Sequence, residues 1–209
     1  MKMKSRRFML SVVLMLLSTM TFAQSDAHKS DTHNSGAQKP EAPKSEAQKS
    51  FDIMKTLAGN WQGTVKMDPP NPKWGEDIRT QVSLRVTSRG NALVHEMKEP
   101  GKPDDPARYD HPVTMLYLEG ERLLLTHYCD AGNRPRMTGK VSEDGKKVEF
   151  EFLDLSGGNQ HGHMYHAVFT IIDANHHIEE WTYMMPGDKP MHGRLDLQRS
   201  KDESGVAGQ

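Results

Sequence analysis

From Trp61 onward, apolar residues recur mostly at every second position. Val82, Leu84 and Val86 alternate with Ser83 and Arg85. Leu93, His95 and Met97 alternate with Val94, Glu96 and Lys98. Val148, Phe150 and Phe152 alternate with Glu149 and Glu151, and Leu195 and Leu197 with Arg194, Asp196 and Gln198. A period of two marks half-buried strands with one face inward. Turn residues punctuate these runs at Arg89-Gly90-Asn91, Glu119-Gly120-Glu121, Ala131-Gly132-Asn133, Glu143-Asp144-Gly145, Asp173-Ala174-Asn175 and Pro186-Gly187-Asp188. Each offers Gly, Asn or Asp where a tight reversal needs positive φ.

The pattern predicts about ten strands, over 61–67, 78–88, 92–99, 112–118, 122–129, 135–141, 147–154, 164–172, 177–184 and 192–199. Short turns between consecutive strands imply an all-β, up-and-down antiparallel meander. Closing it into a barrel removes the exposed edges that so long a meander would leave. Barrels of this size can hold a small ligand. One short helix is expected at about 51–57, capped by Ser50, with Ile53, Met54 and Leu57 as its apolar stripe. It would plug one barrel end.

Upstream of the barrel the pattern changes twice. Lys2, Lys4, Arg6 and Arg7 precede an apolar run from Phe8 to Leu17, followed by Thr21-Phe22-Ala23. That order is expected of a secretory signal over 1–23, and the run is short of the roughly 20 residues of a membrane span. Residues 24–50 are rich in Ala, Lys, Ser, Gln, Pro and Glu, with no aromatic or branched aliphatic residue, and are expected to be a disordered linker. The barrel domain then spans 51–200, and 201–209 is a frayed tail. The expected location is secreted or periplasmic, with no stable membrane span after cleavage. Loss of the leader takes the balance from 27 Lys+Arg against 28 Asp+Glu to 23 against 28, so nucleic acid is not an expected partner. Cys129 is the only cysteine, so no disulfide can form within the chain.

A short helix, then Gly59-Asn60-Trp61, then eight to ten antiparallel strands resembles the calycin superfamily of lipocalins and fatty-acid-binding proteins. In those families the first-strand Trp packs at the closed end beneath an Arg or Lys of the last strand. The resemblance implies structural roles for Gly59, Trp61 and Arg199, with Trp61–Arg199 as a cation–π contact. The run Leu57-Ala58-Gly59-Asn60-Trp61-Gln62-Gly63 also resembles nitrobindin-like heme-binding barrels, although Val65 stands where their third Gly would be. That likeness makes heme a cofactor candidate. The domain is further similar to a family of uncharacterised secreted bacterial proteins. That likeness rests on Leu123-Leu124-Leu125-Thr126-His127-Tyr128-Cys129, Gly132-Asn133-Arg134-Pro135-Arg136-Met137, His163-Met164-Tyr165-His166 and Glu179-Glu180-Trp181.

Nine histidines lie between 51 and 200, a high density of the side chain best suited to metal, heme or proton work near neutral pH. His127 is in phase with Leu123, Leu125 and Cys129 on the fifth strand. His95 shares the phase of Leu93 and Met97. The expected ligand-binding set is His95, His127, Cys129, Arg136 and Trp181, able to meet a carboxylate, a phosphate, a heme iron or a metal ion. A buried His and Arg satisfied by internal hydrogen bonds is the structural alternative. His161, His163 and His166 are the candidate metal ligands, completed by His176 or His177 from the next strand. Glu179 and Glu180 face opposite ways on a strand, so one of them is expected inside, with Arg136 as a partner.

No Gly-x-Ser-x-Gly, phosphate loop or dinucleotide fingerprint is present, and no catalytic residue is assigned. The function expected is the binding of a small, largely apolar ligand with a polar head group in the barrel lumen. Heme binding, a small-molecule enzyme with His127 as base, and an envelope barrel without ligand are the alternatives.

Overall fold

Ser45, not Ser50, starts the helix. In the computed structural model, which describes residues 43–70 and 78–200, α1 runs Glu46–Thr56. The Ser45 hydroxyl accepts from the Gln48 backbone N–H at 3.2 Å, an N-cap bond. Ser50 lies inside the helix on its buried face, with Ala47, Phe51 and Met54, and donates to the Glu46 carbonyl at 2.8 Å. The helix therefore takes in residues 46–50, which composition assigns to the linker. Small Ala47 and Ser50 carry no hydrophobic signal, so its first turn reads as linker. The leader, the linker before residue 43 and the tail after residue 200 lie outside the described residues.

Ten strands follow: β1 (Gly59–Asp68), β2 (Ile78–Thr87), β3 (Ala92–Lys98), β4 (Val113–Glu119), β5 (Arg122–Tyr128), β6 (Arg134–Val141), β7 (Lys147–Ser156), β8 (His163–Asp173), β9 (His176–Met185) and β10 (Lys189–Arg199). Each pairs antiparallel with its neighbours in sequence, and β1 pairs with β10 to close the barrel. No strand edge is left exposed, which answers the aggregation hazard of a long meander. Three places break the regular pairing. The register shifts between Arg136 and Met137 on β6, and at Met164/His166 and Ile171/Asp173 on β8.

The two ends differ. At one end α1 packs against β4, β5 and β6. Leu57, Trp61, Leu93, Leu123, Val148, Phe150, Phe169 and Leu197 fill the adjoining interior and are all but inaccessible. Burying each such side chain stabilises the fold by about 1.5–3 kcal/mol. Gly139 belongs to this packing, because the Phe150 ring occupies the place a side chain would take. Toward the opposite end, the mouth, inward-phase residues open up: Val65, Met67, Met97 and Phe152 are only partly buried. Among the described residues no helix is long and apolar enough to cross a membrane.

Candidate functional site

The closed end is held by Arg199. Its guanidinium carbon lies 4.1 Å from the centre of the Trp61 ring. Nε donates to the Ala174 carbonyl at 2.9 Å and Nη1 to the Ala58 carbonyl at 2.8 Å. Gly59, at φ +141°, has Nη1 lying where a Cβ would sit, so the position needs glycine for both backbone and space. Trp61 Nε1 donates to the Leu57 carbonyl at 2.8 Å, fastening the strand to the end of α1. These contacts tie Gly59, Trp61 and Arg199 together at the closed end, and a second polar group of residues lies further in.

Below Trp61 a polar belt crosses the lumen. His177 meets the Trp61 ring edge-on, with centroids 4.2 Å apart. On β9, His177, Glu179 and Trp181 occupy positions i, i+2 and i+4, so the pleat turns all three inward. Glu179 is 0% exposed. Its carboxylate accepts from His177 Nε2 at 3.0 Å, from Trp181 Nε1 at 2.9 Å, and from His95 Nε2 at 3.1 and 3.0 Å. Burial pushes its pKa up, but the attraction of His95 and the hydrogen bonds from His177 and His95 outweigh this. The group stays ionised, well below the usual carboxylate range. A buried charge is tolerated only when so partnered. The Nδ1 atoms of His95 and His177 are buried and have no partner among the described residues.

His127 forms the other side of the belt. It is registered with Thr114, which in turn is registered with His95. Thr114 Oγ1 and His127 Nδ1 are hydrogen bonded at 2.9 Å. His127 is 3% exposed, and its Nε2 makes no hydrogen bond among the described residues but, unlike the Nδ1 atoms of His95 and His177, is not sealed from solvent. Burial, with the charge of His95 beside it, pushes its pKa down to about 4, so the ring is neutral at pH 7. Its centroid is 5.8 Å from the Trp181 ring, and Trp181 stands 5.6 Å from both His95 and Phe169. At 7% exposure Trp181 is the belt residue nearest the mouth in accessibility.

Three expectations are corrected. Arg136 is not in the lumen. It is registered with Thr126 on the outward phase, beside the shift that throws Asp154 outward, and its guanidinium grips the Asp154 carboxylate, with Nε at 2.9 Å. The inward glutamate is Glu179, but its partners are two histidines and a tryptophan. Cys129 lies beyond the end of β5, in a turn closed by a Gly132 N–H to Cys129 carbonyl bond of 3.1 Å. Burial pushes its thiol up, away from the reactive thiolate.

Nor do His161, His163 and His166 converge. The His161 carbonyl accepts from the Tyr183 hydroxyl at 2.9 Å. His163 Nδ1 bonds Asn159 Oδ1 at 2.9 Å, and its ring packs 5.0 Å from Phe152. His166 points outward to Glu149 at 2.9 Å. A register shift at Met164/His166 also falls between His163 and His166. His176 pairs outside with Asp196, while His177 turns inside. Among the described residues no group of three or more His, Cys, Asp or Glu is placed to hold a metal ion. A groove of about 510 Å³ crosses the outer face of β8, β9, β10 and β1, lined by Lys66, Asp68, His166, Glu180, Thr182 and His192. Its charges are of both signs.

No protein-family model matches the chain. No curated protein matches it either. Among solved structures it is similar to Rv2717c from M. tuberculosis, with a TM-score of 0.53 and 13% identity, covering 73% of this chain and 98% of that one. A DUF3598-family protein of unknown function from Nostoc punctiforme aligns with a TM-score of 0.45 and 10% identity, over 70% of this chain and 49% of that one. The likeness to Rv2717c is one of fold: a closed ten-stranded antiparallel barrel.

Proposed function

We propose that this barrel binds a small, largely apolar ligand between the polar belt and the mouth, with the ligand's polar group against His127. The observation that carries the reading is His127 itself. A buried, neutral imidazole with one nitrogen engaged by Thr114 and the other uncommitted and still open to solvent can meet a ligand's polar group. It lies where the packed interior gives way to part-buried Val65, Met67 and Met97. An apolar enclosure with a few polar groups is the usual composition of a small-molecule site. The closed end, filled by Phe150, Phe169 and Trp61, offers no such place.

Two further parts of the proposal rest on sequence. A secreted or periplasmic location follows from residues 1–23 alone, and the domain limits 51–200 from composition. Kinship with the calycins is supported by the Gly59-Asn60-Trp61 run together with Arg199 over Trp61.

A second reading draws on the same atom. Heme, or another iron porphyrin, needs one neutral histidine nitrogen, and His127 Nε2 fits that requirement. Bound there, heme would supply iron chemistry. The chain's own contribution is to keep the ring neutral through burial and to fix it through Thr114.

The test is a fluorescence titration with 1-aminoanthracene, a neutral apolar dye, followed by hemin. Saturable one-site dye binding is expected, weakened about tenfold in His127→Ala with the barrel's circular dichroism unchanged. Dye binding that ignores both His127→Ala and Trp181→Ala contradicts the reading. A Soret band lost in His127→Ala selects heme over a general apolar ligand.

A further inference from the structure

The Arg136–Asp154 pair on the outer wall bears on which ligands the lumen accepts. A carboxylate buried in a barrel needs a cation to pair with. Among the described residues, the inward-phase positions between the two ends carry no Lys or Arg. Arg136 faces outward and is engaged by Asp154. Arg199 caps the closed end and is committed to Trp61 and backbone carbonyls. What positive character His95 and His177 have is turned to the Glu179 carboxylate, through the Nε2 atom of each ring. The ring left facing the ligand, His127, is neutral.

The mouth is mixed in charge. Asp110 and Asp130 approach each other there, with the Asp130 backbone N–H donating to Asp110 Oδ1 at 3.2 Å. Lys98, at the mouth end of β3, lies beside Asp104, and Arg134 and Lys189 open β6 and β10 at the same end. The rim therefore does not choose between ions, and a carboxylate that enters finds no free cation at the belt. A cation at the belt would likewise stand unpaired, because the Glu179 carboxylate is already enclosed by His95, His177 and Trp181. Burying an unpaired charge of either sign costs far more than burying a neutral polar group.

We infer that the lumen selects uncharged head groups, such as a hydroxyl, a carbonyl or an amide, and that Glu179 sets this selectivity by keeping His95 and His177 occupied. The inference rests on the ligand-binding reading above. Glu179 acts here as a positioning residue: it touches Trp181 and the two histidines rather than the ligand.

The test compares matched probes that differ only in head group: 1-decanol, decanoate and decylamine, each displacing bound 1-aminoanthracene at pH 7.4. Decanol is expected to bind at least tenfold more tightly than either ion. Decanoate or decylamine binding as tightly as decanol overturns the inference while leaving a binding barrel in place. Binding of the dye and of none of the three probes overturns it as well. Absence of any dye binding removes the ligand reading and the inference together. In Glu179→Gln, His95 loses its charged partner, and the decanol-to-decanoate ratio should fall by threefold or more. That ratio reads selectivity, which a merely loosened barrel would not shift toward the anion. Should Glu179→Gln fail to fold, Arg136→Ala still decides the point. It should leave the wild-type ratio unchanged, and a loss of decanoate affinity in that variant would contradict the inference.

Discussion

Glu179 and His95 are joined across the lumen at 3.0 Å, although their strands, β9 and β3, are not neighbours in the barrel wall. Every strand pairing in the wall is between neighbours in the barrel order. This bond instead spans the interior, and with His177 and Trp181 it ties opposite walls together. The sequence separation is 84 residues.

Loss of the carboxylate should therefore be costly. Glu179→Ala leaves three N–H groups buried and unpaired. A loss of about 3–5 kcal/mol is expected, the range for breaking a buried charged network from one side. Glu179→Gln retains an acceptor and should lose less. Urea denaturation followed by circular dichroism measures both, and equal losses would contradict the account.

Acid should act in two steps. His127 titrates at about 4 in the fold against an ordinary 6.5. The unfolded chain then binds the proton first, so this contribution is complete above pH 6.5 and is lost as pH falls toward 4. The loss is about 3 kcal/mol. Glu179 is also depressed, from an ordinary 4.5. Its contribution is complete above that value and declines only as pH falls below it. His127→Asn should flatten the stability profile between pH 6.5 and 4 while leaving the lower decline in place.

The closed end offers a backbone test. Gly59→Ala forces a Cβ into the Arg199 guanidinium at an unfavourable φ, and about 1–3 kcal/mol of stability should be lost. Arg199→Lys removes the fork that reaches both Ala58 and Ala174, and should also lower the melting temperature. If Gly59→Ala melts like the wild type, Arg199 does not hold the position described.

Arg136→Ala, by contrast, removes a solvent-facing pair with Asp154. Little or no change is expected in the same denaturation experiment, because an exposed pair is screened by solvent. A larger loss would mean that Arg136 reaches the interior.

Much of this was legible in the chain. Period-two alternation and the Gly/Asn/Asp turns placed ten strands and their order, because a half-buried strand announces its facing locally. The same logic places His95 and His127 inside. His177-x-Glu179-x-Trp181 could have been read as one inward face of β9, which would have located the centre of the belt. What could not be read were the register shifts. One of them carries Asp154 to the outward Arg136. A shift depends on the pairing of two strands, so neither strand alone records it. The first turn of α1 was hidden for a different reason: Ala47 and Ser50 are buried by their small size, without an apolar signature.

The most direct test of the ligand-binding account is the imidazole nitrogen spectrum of His127, recorded with and without saturating 1-decanol. The account predicts that the Nε2 resonance of His127 moves on binding, while those of outward His166 and His192 stay in place. Binding that shifts His166 or His192 and leaves His127 unmoved would put the ligand in the outer groove and contradict it.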